Sequence, residues 1–84
     1  MTIIQRAGGL DFCIRPATSD MNTVLSCAEF DEYGIVGMDL RGKMVLDVGA
    51  HIGGFAVLAA RLGARVVAVE PVPENVELLR RNAE

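Results

Sequence analysis

With 84 residues, a formal charge of −3 and one lysine, Lys43, this chain can form a single small domain and lacks the clustered cations that a nucleic-acid or acidic membrane surface requires. A hydrophobic fraction of 51% and a mean hydropathy of +0.35 are high for a self-contained domain of this size, so the sequence reads as part of a larger core. Cys13 and Cys27 follow no secretory signal and point to reduced packing thiols in a cytoplasmic protein; no apolar run approaches the ~20 residues of a membrane span, and no residues have metal-ligand spacing.

Thr2 to Gln5 and Leu10 to Arg15 flank Ala7-Gly8-Gly9, and Leu10, Phe12 and Ile14 alternate with Asp11, Cys13 and Arg15. That period of two predicts a β-hairpin with a half-buried second strand. Pro16 ends the strand, Thr18-Ser19-Asp20 offers side-chain oxygens for a helix N-cap, and Met21, Val24, Leu25 and Ala28 follow at i, i+3, i+4 and i+7. An amphipathic helix running to about Phe30 is expected. Glu29, Asp31 and Glu32 have the wrong sign for a helix C-terminus, so they stand beyond the helix or have another task. Asp31 and Glu32 with Tyr33 read as a solvated helix end, with the mouth of an active site as the alternative.

After Gly34, Gly37 and Gly42 the chain changes character. Met44 to Val48 is apolar except for Asp47, as expected of a strand covered on both faces. Gly49 to Gly54 is a turn, Phe55 to Leu62 a buried helix ended by Gly63, and Arg65 to Val69 a second strand with Glu70 at its tip. Strand, turn, helix and strand predict a right-handed parallel βαβ unit. Pro73, Val76, Leu79 and Ala83 carry a last helix to the end of the chain. Two portions result: a hairpin and helix lead-in over 1–43, and the first, incomplete βαβα part of a Rossmann-like α/β domain over 44–84.

The stretch VLDVGAHIGGF, residues 45–55, carries the chemistry. A strand that ends at a glycine turn and opens a helix offers backbone N–H groups and a positive dipole end to a ligand. Gly49 and Gly54 match the outer positions of the dinucleotide fingerprint, but His51 stands where its middle glycine lets pyrophosphate approach. Asp47, at the end of the strand, repels pyrophosphate and attracts an ammonium or sulfonium group. Glu70, about 20 residues after the first glycine, is placed to accept from ribose hydroxyls. Adenosine, an amino-acid end and a positive sulfur together describe S-adenosylmethionine.

VLDVGAHIGGF followed by VVAVEPVPENVELLRRN resembles the first two signature segments of class I S-adenosylmethionine-dependent methyltransferases, most closely those of the FkbM type. The upstream IRPATSD and EFDEYG are similar to that family's lead-in, so the likeness spans roughly residues 14–84. The resemblance implies that the turn Gly49, Ala50, His51 and Gly53 passes the methionine part, with Asp47 near its amino group. It implies Glu70 on the ribose and Pro71 with Val72 beside the adenine. The family tolerates Asn where His51 stands, which favours a polar turn role over a general base. It also implies a parent enzyme that methylates a small molecule or sugar, most simply on oxygen, and a chain that is inactive alone because the acceptor half is missing. The alternatives are a noncatalytic nucleotide-binding or oligomerising module that self-associates through its exposed sheet edge, and a nicotinamide-dependent oxidoreductase segment.

Overall fold

The computed structural model describes all 84 residues. The hairpin pairs β1 (Ile3–Ala7) with β2 (Leu10–Ile14) in antiparallel register, Ile3 opposite Ile14 and Ala7 opposite Leu10. The inward positions of β2 follow the predicted alternation: Leu10, Phe12 and Ile14 are buried and Asp11 is exposed.

The next helix differs in detail. It begins as α1 (Asp20–Val24) and continues as a π-helical segment, Leu25–Glu29, in which Phe30 N–H donates to Leu25 O at 2.9 Å. Nothing in the sequence announces the widening. Ser19 occupies the N-cap without a side-chain cap bond and Asp20 turns inward, so of the expected cluster only Thr18 serves the helix start, its Oγ1 accepting from Asp20 N–H at 3.1 Å. The acids past the helix have structural tasks: Glu29 Oε1 accepts from Gly8 N–H at 3.0 Å, and Asp31 Oδ1 accepts from the N–H groups of Ile35 and Val36.

β3 (Met44–Val48) and β4 (Arg65–Val69) pair in parallel across α2 (Gly54–Arg61), and α3 (Pro73–Asn82) closes the chain. The βαβ prediction matches to within a residue at each boundary. Cover on both faces does not. Met44, Leu46, Val48, Val67 and Val69 are exposed, because the helices lie on the Val45, Asp47, Val66 and Ala68 side of a sheet only two strands wide. The main core draws Phe12 and Ile14 from β2, Val24 and Ala28 from the first helix, and Ile52, Leu58 and Leu78 from the βαβα portion. Residues on both sides of Lys43 thus share one interior. No helix is long and apolar enough to cross a membrane.

Candidate functional site

The turn between β3 and α2 is built from left-handed backbone: Gly49, His51 and Gly53 have φ of 78°, 56° and 99°. Glycine reaches this region freely; histidine is among the few side-chain-bearing residues enriched there, as is Asn. That backbone requirement is a physical reason for the Asn-or-His pattern at position 51. A Cβ on Gly49 would meet nothing within 4 Å, leaving open space at the tip of β3, whereas a Cβ on Gly53 would come 2.7 Å from Leu79 Cδ1. The Leu79 methyl could shift, and it is the left-handed φ of 99° that calls for glycine at position 53.

The turn's N–H groups are largely engaged within the protein. Gly49 and Ala50 both donate to Val69 O, at 2.8 and 3.0 Å, and Gly53 donates to Ala50 O at 3.0 Å. His51 N–H donates to Glu70 Oε1 at 2.7 Å. The expectation of open N–H groups is met only in part: Val69 and Glu70 take those of Gly49, Ala50 and His51, while those of Ile52, Gly54, Phe55 and Ala56 have no acceptor within the chain. Beside these donors the strand ends offer a ligand the carboxylate oxygens of Asp47 and Glu70, and a pyrophosphate has no use for acceptors.

Glu70 is the hub. Its Oε2 also accepts from Val72 N–H at 3.1 Å and Asn75 Nδ2 at 3.2 Å, so that oxygen is saturated while Oε1 retains one acceptor site. The Val72 bond holds this carboxyl below the usual range, with burial opposing it and the bonds from His51 and Asn75 adding to it. Asn75 Oδ1 in turn accepts from Arg15 Nη2 at 2.7 Å, and Arg15 clasps the fully buried Asp20 through Nε at 2.8 Å and Nη2 at 3.0 Å. Asp20 Oδ1 lies 3.5 Å from His51 Nε2. A closed polar ring results: His51, Glu70, Asn75, Arg15, Asp20 and back to His51. Burial pushes the Asp20 carboxyl up, but the Arg15 guanidinium, backbone N–H and charge outweigh it and hold it below the carboxylate range.

Two buried side-chain atoms have no partner, Asp47 Oδ2 and His51 Nδ1. Both belong to the β3 end and the turn it feeds. Desolvation pushes the Asp47 carboxyl above its usual value. An unpartnered buried acceptor costs about 1–3 kcal/mol, and Asp47 Oδ2 finds no donor within the chain.

Pro71 is exposed between β4 and α3, and Ala50 is buried beneath the turn against Leu79. Tyr33 packs edge-on against Phe55, with ring centroids 5.0 Å apart. Cys27 is a free buried thiol whose pKa burial pushes up, consistent with an inert packing role. The largest groove lies between α2, β4 and α3, lined by Ala56, Ala60, Val66, Ala68 and Leu79, and includes neither Asp47, Glu70 nor the turn residues between β3 and α2.

Sequence reasoning missed Arg15, Asp20, Asn75 and Asn82. Asn82 Nδ2 donates to Ile52 O at 2.8 Å, and its Oδ1 accepts from Cys13 N–H at 2.7 Å, tying α3 to both the turn and the hairpin. A signal existed. Asp20 precedes Val24 and Ala28 at steps of four, and Asn75 and Asn82 share a helix face with Leu78 and Leu79, so each polar residue stands on a face that must be buried.

Parallel strands, a left-handed turn and acids at the ends of both strands define a Rossmann-like segment of the class I methyltransferase type. The comparisons with known proteins agree: in fold and sequence the chain is similar to part of class I S-adenosylmethionine-dependent methyltransferases. It is 51% identical over 45 residues to the ubiquinone biosynthesis O-methyltransferase of Methylocella silvestris, covering 54% of this chain and 18% of that protein. It is 34% identical over 71 residues to the enzyme of the same name in Cereibacter sphaeroides, covering 84% of this chain and 29% of that one. A 16S rRNA methyltransferase of T. thermophilus, solved with AdoMet and guanosine, superposes with a TM-score of 0.66 at 27% identity over 98% of this chain and 24% of its own. No family model matches. The chain thus spans less than a third of these relatives, and none of them supports the FkbM subtype.

The exclusion of nucleic acid from the partners is corrected. The T. thermophilus neighbour acts on 16S rRNA, and an Archaeoglobus fulgidus relative, 54% identical over 46% of this chain and 22% of its own length, is a large-subunit rRNA methyltransferase. The physical reason is coverage: the charge of −3 belongs to a segment, and it says nothing of the surface that the rest of such an enzyme presents to its acceptor.

Proposed function

We propose that this chain is the methyl-donor-binding part of an S-adenosylmethionine-dependent methyltransferase. The observation that carries the reading is the inventory at the strand ends: an unpartnered buried oxygen at Asp47 and a carboxylate at Glu70 stand at the ends of β3 and β4, while the N–H groups of Gly49, Ala50 and His51 beside them are engaged. A ligand suited to that inventory brings N–H and O–H donors and positive charge, as the ammonium, sulfonium and ribose of S-adenosylmethionine do. Asp47 takes the ammonium, Glu70 the ribose hydroxyls, and the open side of Gly49 admits the methionine backbone, with Ala50, His51 and Gly53 shaping the turn and Pro71 bordering the adenine. Because Glu70 retains a single acceptor site, taking both hydroxyls requires it to release one of its present donors. When bound, the cosubstrate supplies an electrophilic methyl carbon, and the protein's contribution is orientation and the exclusion of water.

Two O-methyltransferase relatives favour oxygen as the acceptor atom, and hydroxyls occur on small molecules and on RNA riboses alike. An S-adenosylhomocysteine titration by calorimetry, run beside NAD, tests the donor site. Binding of S-adenosylhomocysteine alone is expected, with Glu70→Ala weakening it by ~10-fold or more, about 1.4 kcal/mol. Binding of NAD instead would refute the reading of Asp47.

A further inference from the structure

His51 is gripped at two points. Glu70 takes its backbone N–H at 2.7 Å, and Asp20 faces its imidazole Nε2 at 3.5 Å. The grip matters because His51 holds a left-handed φ of 56° in the middle of the turn, a conformation that a residue with a Cβ keeps only when its surroundings hold it. Asp20 is itself immobilised. Its side chain is 1% exposed, and three donors of Arg15, the backbone N–H at 2.9 Å, Nε and Nη2, fix both carboxylate oxygens. The arrangement also selects a tautomer. A lone pair on Nε2 directed at a carboxylate is repelled and a proton there is attracted, so the proton belongs on Nε2. Nδ1, buried and without a partner, is then left as a bare lone pair.

We propose that Arg15 and Asp20 are positioning residues for the methyl-donor turn, acting through His51: the pair holds its imidazole as the Nε2–H tautomer while Glu70 holds its backbone. The lead-in thereby sets the geometry of a site to which it contributes no ligand contact. Asn75 completes the coupling, since it donates to Glu70 and accepts from Arg15, so movement of Glu70 toward a ligand is felt at Asp20. The donor-binding role of the turn comes from the function proposed above; the tautomer does not depend on it.

His51 is the chain's only histidine, so nitrogen-15 spectra of the imidazole read it without assignment ambiguity. In the full chain at about pH 8, where ordinary imidazoles are neutral, a pyrrole-type Nε2 and a pyridine-type Nδ1 are expected. Asp20→Asn keeps its oxygen for the two Arg15 donors at the Oδ2 position and sets its amide against both His51 Nε2 and Arg15 Nη2, so the tautomer moves toward Nδ1–H. S-adenosylhomocysteine affinity then falls ~10-fold. A wild-type Nδ1–H tautomer overturns the inference without any variant, so a D20N chain that fails to fold does not rescue it. Equal S-adenosylhomocysteine affinity in the wild type and D20N also overturns it and leaves the donor-site reading standing. Failure of the wild type to bind S-adenosylhomocysteine overturns the donor site and the positioning role together, while the tautomer result stands on its own.

Discussion

Replacing Glu70 by Gln is isosteric and removes one acceptor oxygen. With the remaining oxygen at the Oε2 position, the bonds from Val72 N–H and Asn75 Nδ2 survive, and the new amide group faces the His51 N–H that Glu70 now accepts at 2.7 Å. The opposite rotamer sets two donors against the amide and is worse. The loss is therefore one charge-assisted bond, at a half-buried position, with the His51 N–H left facing a donor, and it costs about 1–2 kcal/mol. For a domain of this length, that lowers Tm by roughly 5–15 °C at neutral pH. The pH dependence supplies the sharper test. Because the folded-state carboxyl lies below its unfolded value, Glu70 contributes stability that is fully present above the unfolded pKa of about 4.3 and lost as pH falls through the lower folded value. Urea unfolding followed by circular dichroism at pH 7 and then in steps toward pH 3 should show the gap between wild type and Glu70→Gln narrowing with acid. The Asp20 carboxyl, also held low, destabilises both proteins in the same window and cancels in the difference. A gap that stays constant with pH, or a variant as stable as wild type at pH 7, would refute the placement of Glu70 as the hub of the ring.

Two further outcomes follow from the opposite behaviour of Asp47 and from the bare sheet face. Burial raises the Asp47 carboxyl, so its charge opposes folding at neutral pH; Asp47→Asn should stabilise the free chain by about 0.5–2 kcal/mol while weakening S-adenosylhomocysteine binding. Here the sign reverses, and the gain should shrink as pH falls through the raised value and the wild-type acid protonates; denaturant melts over pH 4 to 7 check it. Leu46 is 66% exposed on the uncovered side of β3, so Leu46→Lys should change stability by less than about 0.5 kcal/mol yet reduce concentration-dependent association in sedimentation velocity.

Much of the βαβα portion was legible before any coordinates, because its signals are local. β-branched runs, a glycine turn, Gly63 after an apolar helix and Pro73 at a first turn each act within a few residues, and β3, β4 and α3 start where those residues put them. The acids Asp47 and Glu70 were legible because an acid at the tip of an apolar strand is costly and needs a reason. The π-helical segment was not, since it widens a helix whose apolar period is ordinary. Nor was the inward turn of Asp20: a Ser-Asp pair before a helix is usually a cap, and only the neighbouring Arg15 guanidinium made burial of the carboxylate tolerable.

The sequence by itself determined the order of elements, the parallel βαβ unit and the acids at its strand ends, since all of these follow from side-chain periodicity and backbone preference along the chain. The tertiary structure alone decided which acceptors stay free. Arg15 and Asn75 lie 60 positions apart, as do few pairs that local patterns can connect, and their 2.7 Å contact closes the ring that ties the lead-in to Glu70 and His51. It likewise decided that the Gly49 and Ala50 N–H groups are spent on β4 and that one sheet face stays bare, because hydrogen-bond partners and cover depend on what packs alongside, and a sequence pattern records only that something must.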